Sequence, residues 1–254
     1  MQLIDAHAHL AAPEFAGDLP EVLARAEAAS VYGIVTVGET LEESERILAL
    51  SVRHPLIKAA AGLYPTHLDM EAAEGVVAFA RRNADRLVAL GEVGLDHWVV
   101  KAEADRKIQE SILVKFIALS NELGLALSVH SRSAGRRAIA LLKAHGARRV
   151  VLHAFDGKAA TALEGAAAGY GFSIPPSVVR SPQKQKLVRQ LPLDSLLLET
   201  DSPVLGPTHA ERNEPANATI ACQAIANLKG IPPETVARIT TENATRLFPG
   251  LRAR

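Results

Sequence analysis

Short apolar runs alternate along this chain with longer stretches in which apolar residues recur every three or four positions. The runs are Leu3 to His9, Gly33 to Gly38, Lys58 to Leu63, Leu87 to Val93, Leu125 to His130, Arg149 to Ala154, Gly171 to Ile174 and Ser195 to Glu199. Their length and their aliphatic or β-branched content predict strands. The clearest helix spans Ala104 to Leu123, where Ile108, Ile112, Phe116, Leu119 and Leu123 mark one face and Gly124 supplies the stop. Pro20 and Pro182 suit the first turns of two further helices. Strands separated by helix-length segments predict a parallel sheet with crossover helices. Eight such repeats in a chain near the ~250 residues typical of the fold predict a single (β/α)8 TIM barrel, one domain over residues 1–254. The sequence has no G-x-G-x-x-G or P-loop segment, which weakens the open doubly wound alternative.

Polar residues sit where the apolar runs end: Asp5, His7 and His9 on the first, Glu92 on the fourth, His130 on the fifth, His153 on the sixth and Asp201 after the eighth. In a parallel barrel these ends share one rim, the rim that carries active sites. Strand alternation predicts Asp5, His7 and His9 on one side. His7 and His9 can then bind one cation together, and Glu92 can bridge it to a second held by His130 and His153. Asp201 is placed to ligate the first cation and to hold an attacking water, which makes Asp201 and Glu92 the candidate catalytic carboxylates. Two such cations clamp the attacking and leaving oxygens of a displacement and acidify bound water. Each residue alone has a plainer reading, as a core histidine or a loop acceptor, and His-x-His by itself is a weak signal. Their convergence decides the matter, because unpaired buried charges cost several kcal/mol each. Asp5, deeper in its run, is read as an acceptor orienting a histidine. Glu199 is read as structural, facing the helix layer.

Composition narrows the function. Lys and Arg total 28, matching the 28 Asp and Glu; so even a balance argues against a long nucleic-acid footprint while leaving room for a site gripping one or two phosphates. No signal segment or membrane-length apolar stretch is evident. Cys222 is the only cysteine, which excludes intramolecular disulfides and cysteine-rich zinc sites and fits a cytoplasmic protein; it reads as a packed apolar residue in a helix.

The motifs D-A-H-A-H at 5–9, G-E-V-G-L-D at 91–96, V-H-S-R at 129–132, H-A-F-D-G at 153–157 and E-T-D-S-P at 199–203 resemble the TatD-type metal-dependent deoxyribonucleases of the amidohydrolase-like barrels. R-N-E-P-A-N at 212–217 and T-E-N-A-T-R-L-F at 241–248 extend the resemblance almost to both ends. It implies His7, His9, Glu92 and Asp201 on one divalent ion and Glu92, His130 and His153 on another, zinc, manganese or magnesium. It also implies hydrolysis of DNA, with single-stranded ends and a monomeric enzyme as the expectation. One position departs: where many members carry G-x-H-P, this chain reads Gly62-Leu63-Tyr64-Pro65. Tyr64 can donate a hydrogen bond to the substrate but is a poor proton shuttle. His67 is expected merely to follow a turn. Arg132 is a candidate phosphate ligand or a salt-bridge partner. Trp98, beside His97, could stack on a base, although packing of its loop is the expectation. Arg212 and Asn213 either clamp substrate or order their loop. His54, His145 and His209 read as surface or loop residues. The competing functions are hydrolysis of a carboxylic ester or amide, including an aminoacyl-tRNA ester, and a catalytically idle scaffold.

Overall fold

In the computed structural model, which describes residues 2–251, eight parallel strands pair side by side in chain order. They are β1 (Leu3–Ala8), β2 (Val31–Thr36), β3 (Ile57–Ala61), β4 (Ala89–Gly94), β5 (Ala126–His130), β6 (Val150–Leu152), β7 (Gly171–Ile174) and β8 (Leu196–Leu198). The last gap closes beyond β8, where the Asp201 N–H donates to His7 O and the His9 N–H to Ser202 O, both at 2.8 Å. The result is the (β/α)8 barrel. Met1 and residues 252–254, the outermost part of the unit expected over 1–254, lie outside the described residues.

Around the strands run α1 (Leu19–Ala28), α2 (Leu41–Arg53), α3 (Met70–Arg82), α4 (Glu103–Leu123), α5 (Gly135–Ala144), α6 (Ala159–Ala167), α7 (Pro182–Gln190), α8 (Ala218–Lys229) and α9 (Pro233–Leu247). Local chemistry starts and stops several of them. Thr40 caps α2 by accepting from Glu43 N, Asp69 caps α3 by accepting from Glu71 N and Ala72 N, and Ser181 caps α7 ahead of Pro182. Gly124 ends α4 in the left-handed conformation, φ 67°. On α4, Ile112, Phe116 and Leu119 are buried as their spacing predicts, with Ile108 and Leu123 packed at the edge. Cys222 is buried in α8, and burial pushes its thiol up to about 11, in keeping with a packing role.

Strand residues divide between two apolar layers. Leu3, Ile34, Leu127, Phe172 and Leu198 pack among the helices, whereas Ile4, Ala6, Val35, Ala60, Ala126 and Leu197 fill the barrel. Ala244, Leu247 and Phe248 at the end of α9, with Leu251, join the inner layer and close the end of the barrel remote from the polar rim. The rim itself depends on two irregularities. Between Asp5 and Ala8 β1 spends three residues against two of β2, and between Leu90 and Val93 β4 spends three against two of β5. Each bulge resets the alternation. Ala6 and His7 both turn inward, and Asp5 does not share their side; it bonds Thr200 after β8 instead. This corrects the expectation that Asp5, His7 and His9 project together. The bulge in β4 turns Glu92 inward while leaving Val93 outside. Gly62 permits it, since a Cβ there would collide with the Gly91 and Glu92 backbone.

Phe248 is fully buried. Replacing it by alanine is expected to cost about 3–5 kcal/mol, read as a lowered urea midpoint with the slope unchanged, while divalent-metal content per folded chain stays constant.

Candidate metal centre

Four donor atoms from three strand ends meet at the rim. His7 Nε2 and His9 Nε2 are 3.2 Å apart. Asp201 Oδ1 lies 3.5 Å from the first and 3.3 Å from the second. Glu92 Oε2 lies 3.6 Å from His7 Nε2 and 3.4 Å from His9 Nε2. Nitrogen and oxygen donors at ~2.0–2.2 Å from a tetrahedral centre stand roughly 3.3–3.6 Å from one another. The donor set and its spacing therefore fit a divalent cation. Ser128 Oγ meets His7 Nδ1 at 2.9 Å and fixes the ring so that Nε2 faces the group.

Glu92 turns its other oxygen to a second group. Its Oε1 is 2.6 Å from His130 Nδ1 and 2.7 Å from His153 Nε2, with the two nitrogens 3.2 Å apart. At that length these are charge-assisted hydrogen bonds. Glu92 Oε1, His130 Nδ1 and His153 Nε2 would hold a cation in place of those protons. His130 Nε2 bonds Asp96 Oδ2 at 3.1 Å, which orients the ring.

Several of these partners were not singled out from the sequence. Asp96 closes the G-E-V-G-L-D segment and Ser128 shares the parity of His130, so both carried a signal. Glu39, 3.5 Å from His9 Nδ1, and the buried Lys184, which donates to Ala154 O at 2.8 Å, carried none. Glu199 overturns its expected place. Alternation from the inward Leu197 sends it into the barrel, not to the helix layer. There it accepts from Ser173 Oγ and Ala154 N and lies 4.0 Å from His153 Nδ1. Asp5 keeps its expected role as a buried acceptor, but from Thr200 N and Oγ1 and the His7 backbone N–H, not from an imidazole.

The electrostatics describe a site short of positive charge. Burial opposes a proton on His9, yet Asp201, Glu92 and Glu39 outweigh it and push it up to about 10. Burial likewise opposes charge on His130, but Asp96 and Glu92 raise it to about 9. His7 goes the other way, down to about 4, through burial and the His153 ring stacked on it at 3.9 Å. Burial works against ionised Glu92 and Asp201, and the surrounding imidazoles nevertheless hold both below the usual carboxylate range. Glu199, buried beside Asp201, is raised to about 7.

The expected substrate residues divide. Tyr64 is half-buried over the second group, its ring 5.2 Å from that of His130, and burial followed by the nearby carboxylates pushes its hydroxyl well above the ordinary value. Arg132 lines a cavity of 360 Å³ with Tyr64, His130, His153, Lys184 and Asp201, and among the described residues no carboxylate pairs with it. Trp98 does not pack its loop onto the barrel, being 58% exposed. His67 is exposed, its N–H closing a turn onto Tyr64 O. Arg212 is spent on Asp18, and the buried Asn213 donates to Thr200 O and Val204 O, so both order the loop after β8. His209 meets Arg180, His145 is exposed and His54 partly so, all outside the site.

Residues 4–249 match the model of the family described as TatD related DNase. The human protein named deoxyribonuclease TATDN3 is 46% identical over 265 residues, 98% of this chain and 96% of its own length. The metal-dependent hydrolase YabD of Bacillus subtilis is 35% identical, covering 97% of this chain and 98% of its own. Among solved structures, YjjV, a TatD homologue from Escherichia coli, superposes with a TM-score of 0.90 at 29% identity, over 97% of this chain and 98% of that one.

In the metal-free protein at neutral pH, His9 and His130 hold protons that a cation displaces. Calorimetric titration with Zn²⁺ in two buffers of different ionisation enthalpy is expected to show at least one proton released per cation. Affinity is expected to rise with pH through about 9, where His130 loses its proton, up to about 10, where His9 does. A pH-independent affinity contradicts this assignment.

Proposed function

Because the chain belongs to the TatD-related DNase family, we propose that it hydrolyses phosphodiester bonds at DNA ends, with two divalent cations held by His7, His9, Glu92 and Asp201 and by Glu92, His130 and His153. The observation that carries this reading is Glu92, whose two oxygens each face a separate set of nitrogen donors. Zinc, manganese or magnesium ions bound there supply a charge clamp on the phosphate and a water of lowered pKa.

The remaining work falls to the chain's own residues. Asp201 stays ionised and is held in the left-handed backbone region, φ 55°, by its N–H bond to His7 O. That fixes its carboxylate to accept from, and so orient, the attacking water. Tyr64 keeps its proton and donates to a phosphate oxygen; it does not shuttle protons. Arg132, free of carboxylate partners among the described residues, offers a bidentate grip on the same phosphate. Ser128 and Asp96 keep His7 and His130 turned to their positions. All six proposed ligands come from one chain, which supports action as a monomer. No described helix is long and apolar enough to cross a membrane.

Labelled single-stranded oligonucleotide with Mg²⁺ or Mn²⁺ is expected to be shortened from an end, faster than the matching blunt duplex. Asp201→Asn is expected to lower kcat about 10²–10⁴-fold. Cleavage by the wild type no faster than by the variant, with turnover of a carboxylic ester instead, would move the assignment to the wider ester and amide hydrolases. Metal analysis separately tests the bridge: two equivalents per wild-type chain are expected, and fewer than one for Glu92→Gln.

A further inference from the structure

We infer that Trp98 is a stacking platform for a nucleobase of the substrate's terminal strand, with Arg132 between that base and the reacting phosphate. The inference rests on the phosphodiesterase reading above and adds what the site recognises besides phosphate. Phe116, Phe155 and Phe172 are fully buried, whereas Trp98 leaves 58% of its surface in water. Its position is nonetheless built. The loop after β4 is pinned from both sides: Asp96 Oδ1 accepts from Val99 N at 2.8 Å, and the His97 N–H donates to Arg132 O at 3.0 Å. Asp96 is also the residue that bonds His130. The indole is therefore tied to the end of β5, one short link from the proposed second cation position.

Two cations attend the ring. The Arg132 guanidinium carbon and Lys101 Nζ each lie 5.3 Å from its centroid, and among the described residues neither side chain has a carboxylate partner. Arg132 also lines the 360 Å³ cavity that contains His130, His153 and Asp201. An exposed indole attended by two cations with no carboxylate partner among the described residues, Lys101 donating only to His97 O, on a loop fixed beside the proposed phosphate site, provides the two contacts that single-strand binders combine: a π face for the base and positive charge for the backbone. A base already stacked within a duplex cannot use the platform without being unstacked, so the arrangement selects a frayed or single-stranded end.

A plainer role is that Trp98 only holds Arg132 in place through a cation–π contact. The two roles differ in whether the base matters. Trp98 is the chain's only tryptophan, so its emission reports this position alone. The probes are an end-labelled, cleavage-resistant phosphorothioate thymidine oligonucleotide and an abasic phosphorothioate of the same length. Each is titrated into the Mg²⁺-loaded protein while polarisation and tryptophan emission are followed together. The expected result is saturable quenching by the thymidine probe and binding roughly 5- to 150-fold weaker in Trp98→Ala. Trp98→Phe should restore most of the loss, and the abasic probe should not distinguish Trp98→Ala from the wild type. Equal wild-type affinity for the two probes overturns the inference. So does an equal loss of both in Trp98→Ala, or unmoved emission while polarisation reports binding. In each of those cases cleavage of DNA persists and the phosphodiesterase reading stands. Absence of both binding and cleavage removes that reading, and this inference with it.

Discussion

The rim of this barrel depends on one carboxylate in a place where water cannot reach it. Glu92 is 1% exposed, and an ion so placed is tolerable only if positive charge meets both of its oxygens. His130 and His153 meet one; His7 and His9 approach the other. Asp201, Asp96, Glu39 and Glu199 add further acidic groups, so the imidazoles do not balance the site by themselves. The raised values of His9 and His130 express the same deficit: the free protein borrows protons where the donor set has room for cations.

Bringing that carboxylate inward is costly to arrange, and the backbone around it shows how it is done. A regular β4 would alternate faces without interruption, and the bulge between Leu90 and Val93 breaks the alternation at the required residue. Gly94, at φ 149°, lies where a Cβ would strike the His130 carbonyl, and Gly62 lies against the Gly91–Glu92 backbone. The glycines of the G-E-V-G segment thus let β4 and β5 approach closely enough for Glu92 and His130 to meet at 2.6 Å. The bulge in β1 does the same for His7, setting it against His153 and Ser128.

These irregularities also mark the limit of what the sequence discloses. The alternation of apolar runs and helical stretches specifies eight strands, and the residues that end those runs meet at one rim. Parity is another matter. It places Ser128 and His130 together on the regular β5, fails for Asp5 across a bulge, and from the inward Leu197 carries Glu199 inward. Glu39 and Lys184 show a second limit: their partners, His9 and the Ala154 carbonyl, come from distant segments, and nothing local in the sequence encodes the encounter. Trp98 shows a third, because an aromatic residue in a loop packs or stays exposed according to its neighbours.

A chain with no net charge raises the question of how a polyanionic substrate is drawn to a rim so rich in carboxylates. The answer lies in how the charges are paired. Arg81, Arg137, Arg25 and Arg212 are committed to Glu122, Glu110, Glu214 and Asp18 on the outer surface and contribute little field of their own. Among the described residues Arg132, Lys101 and the buried Lys184 form no such ion pair; Arg132 and Lys184 line the cavity over the second donor group, and Lys101 shares the Trp98 ring with Arg132. Unpaired charge next to a low-dielectric wall is felt more strongly than the same charge within a surface ion pair. Two divalent cations at the proposed positions would offset the rim carboxylates as well, leaving Arg132 and Lys184 as positive charge over a patch the size of one or two phosphates. A patch of that size would suit the proposed action on strand ends, so the even charge balance and a nucleic-acid substrate are compatible.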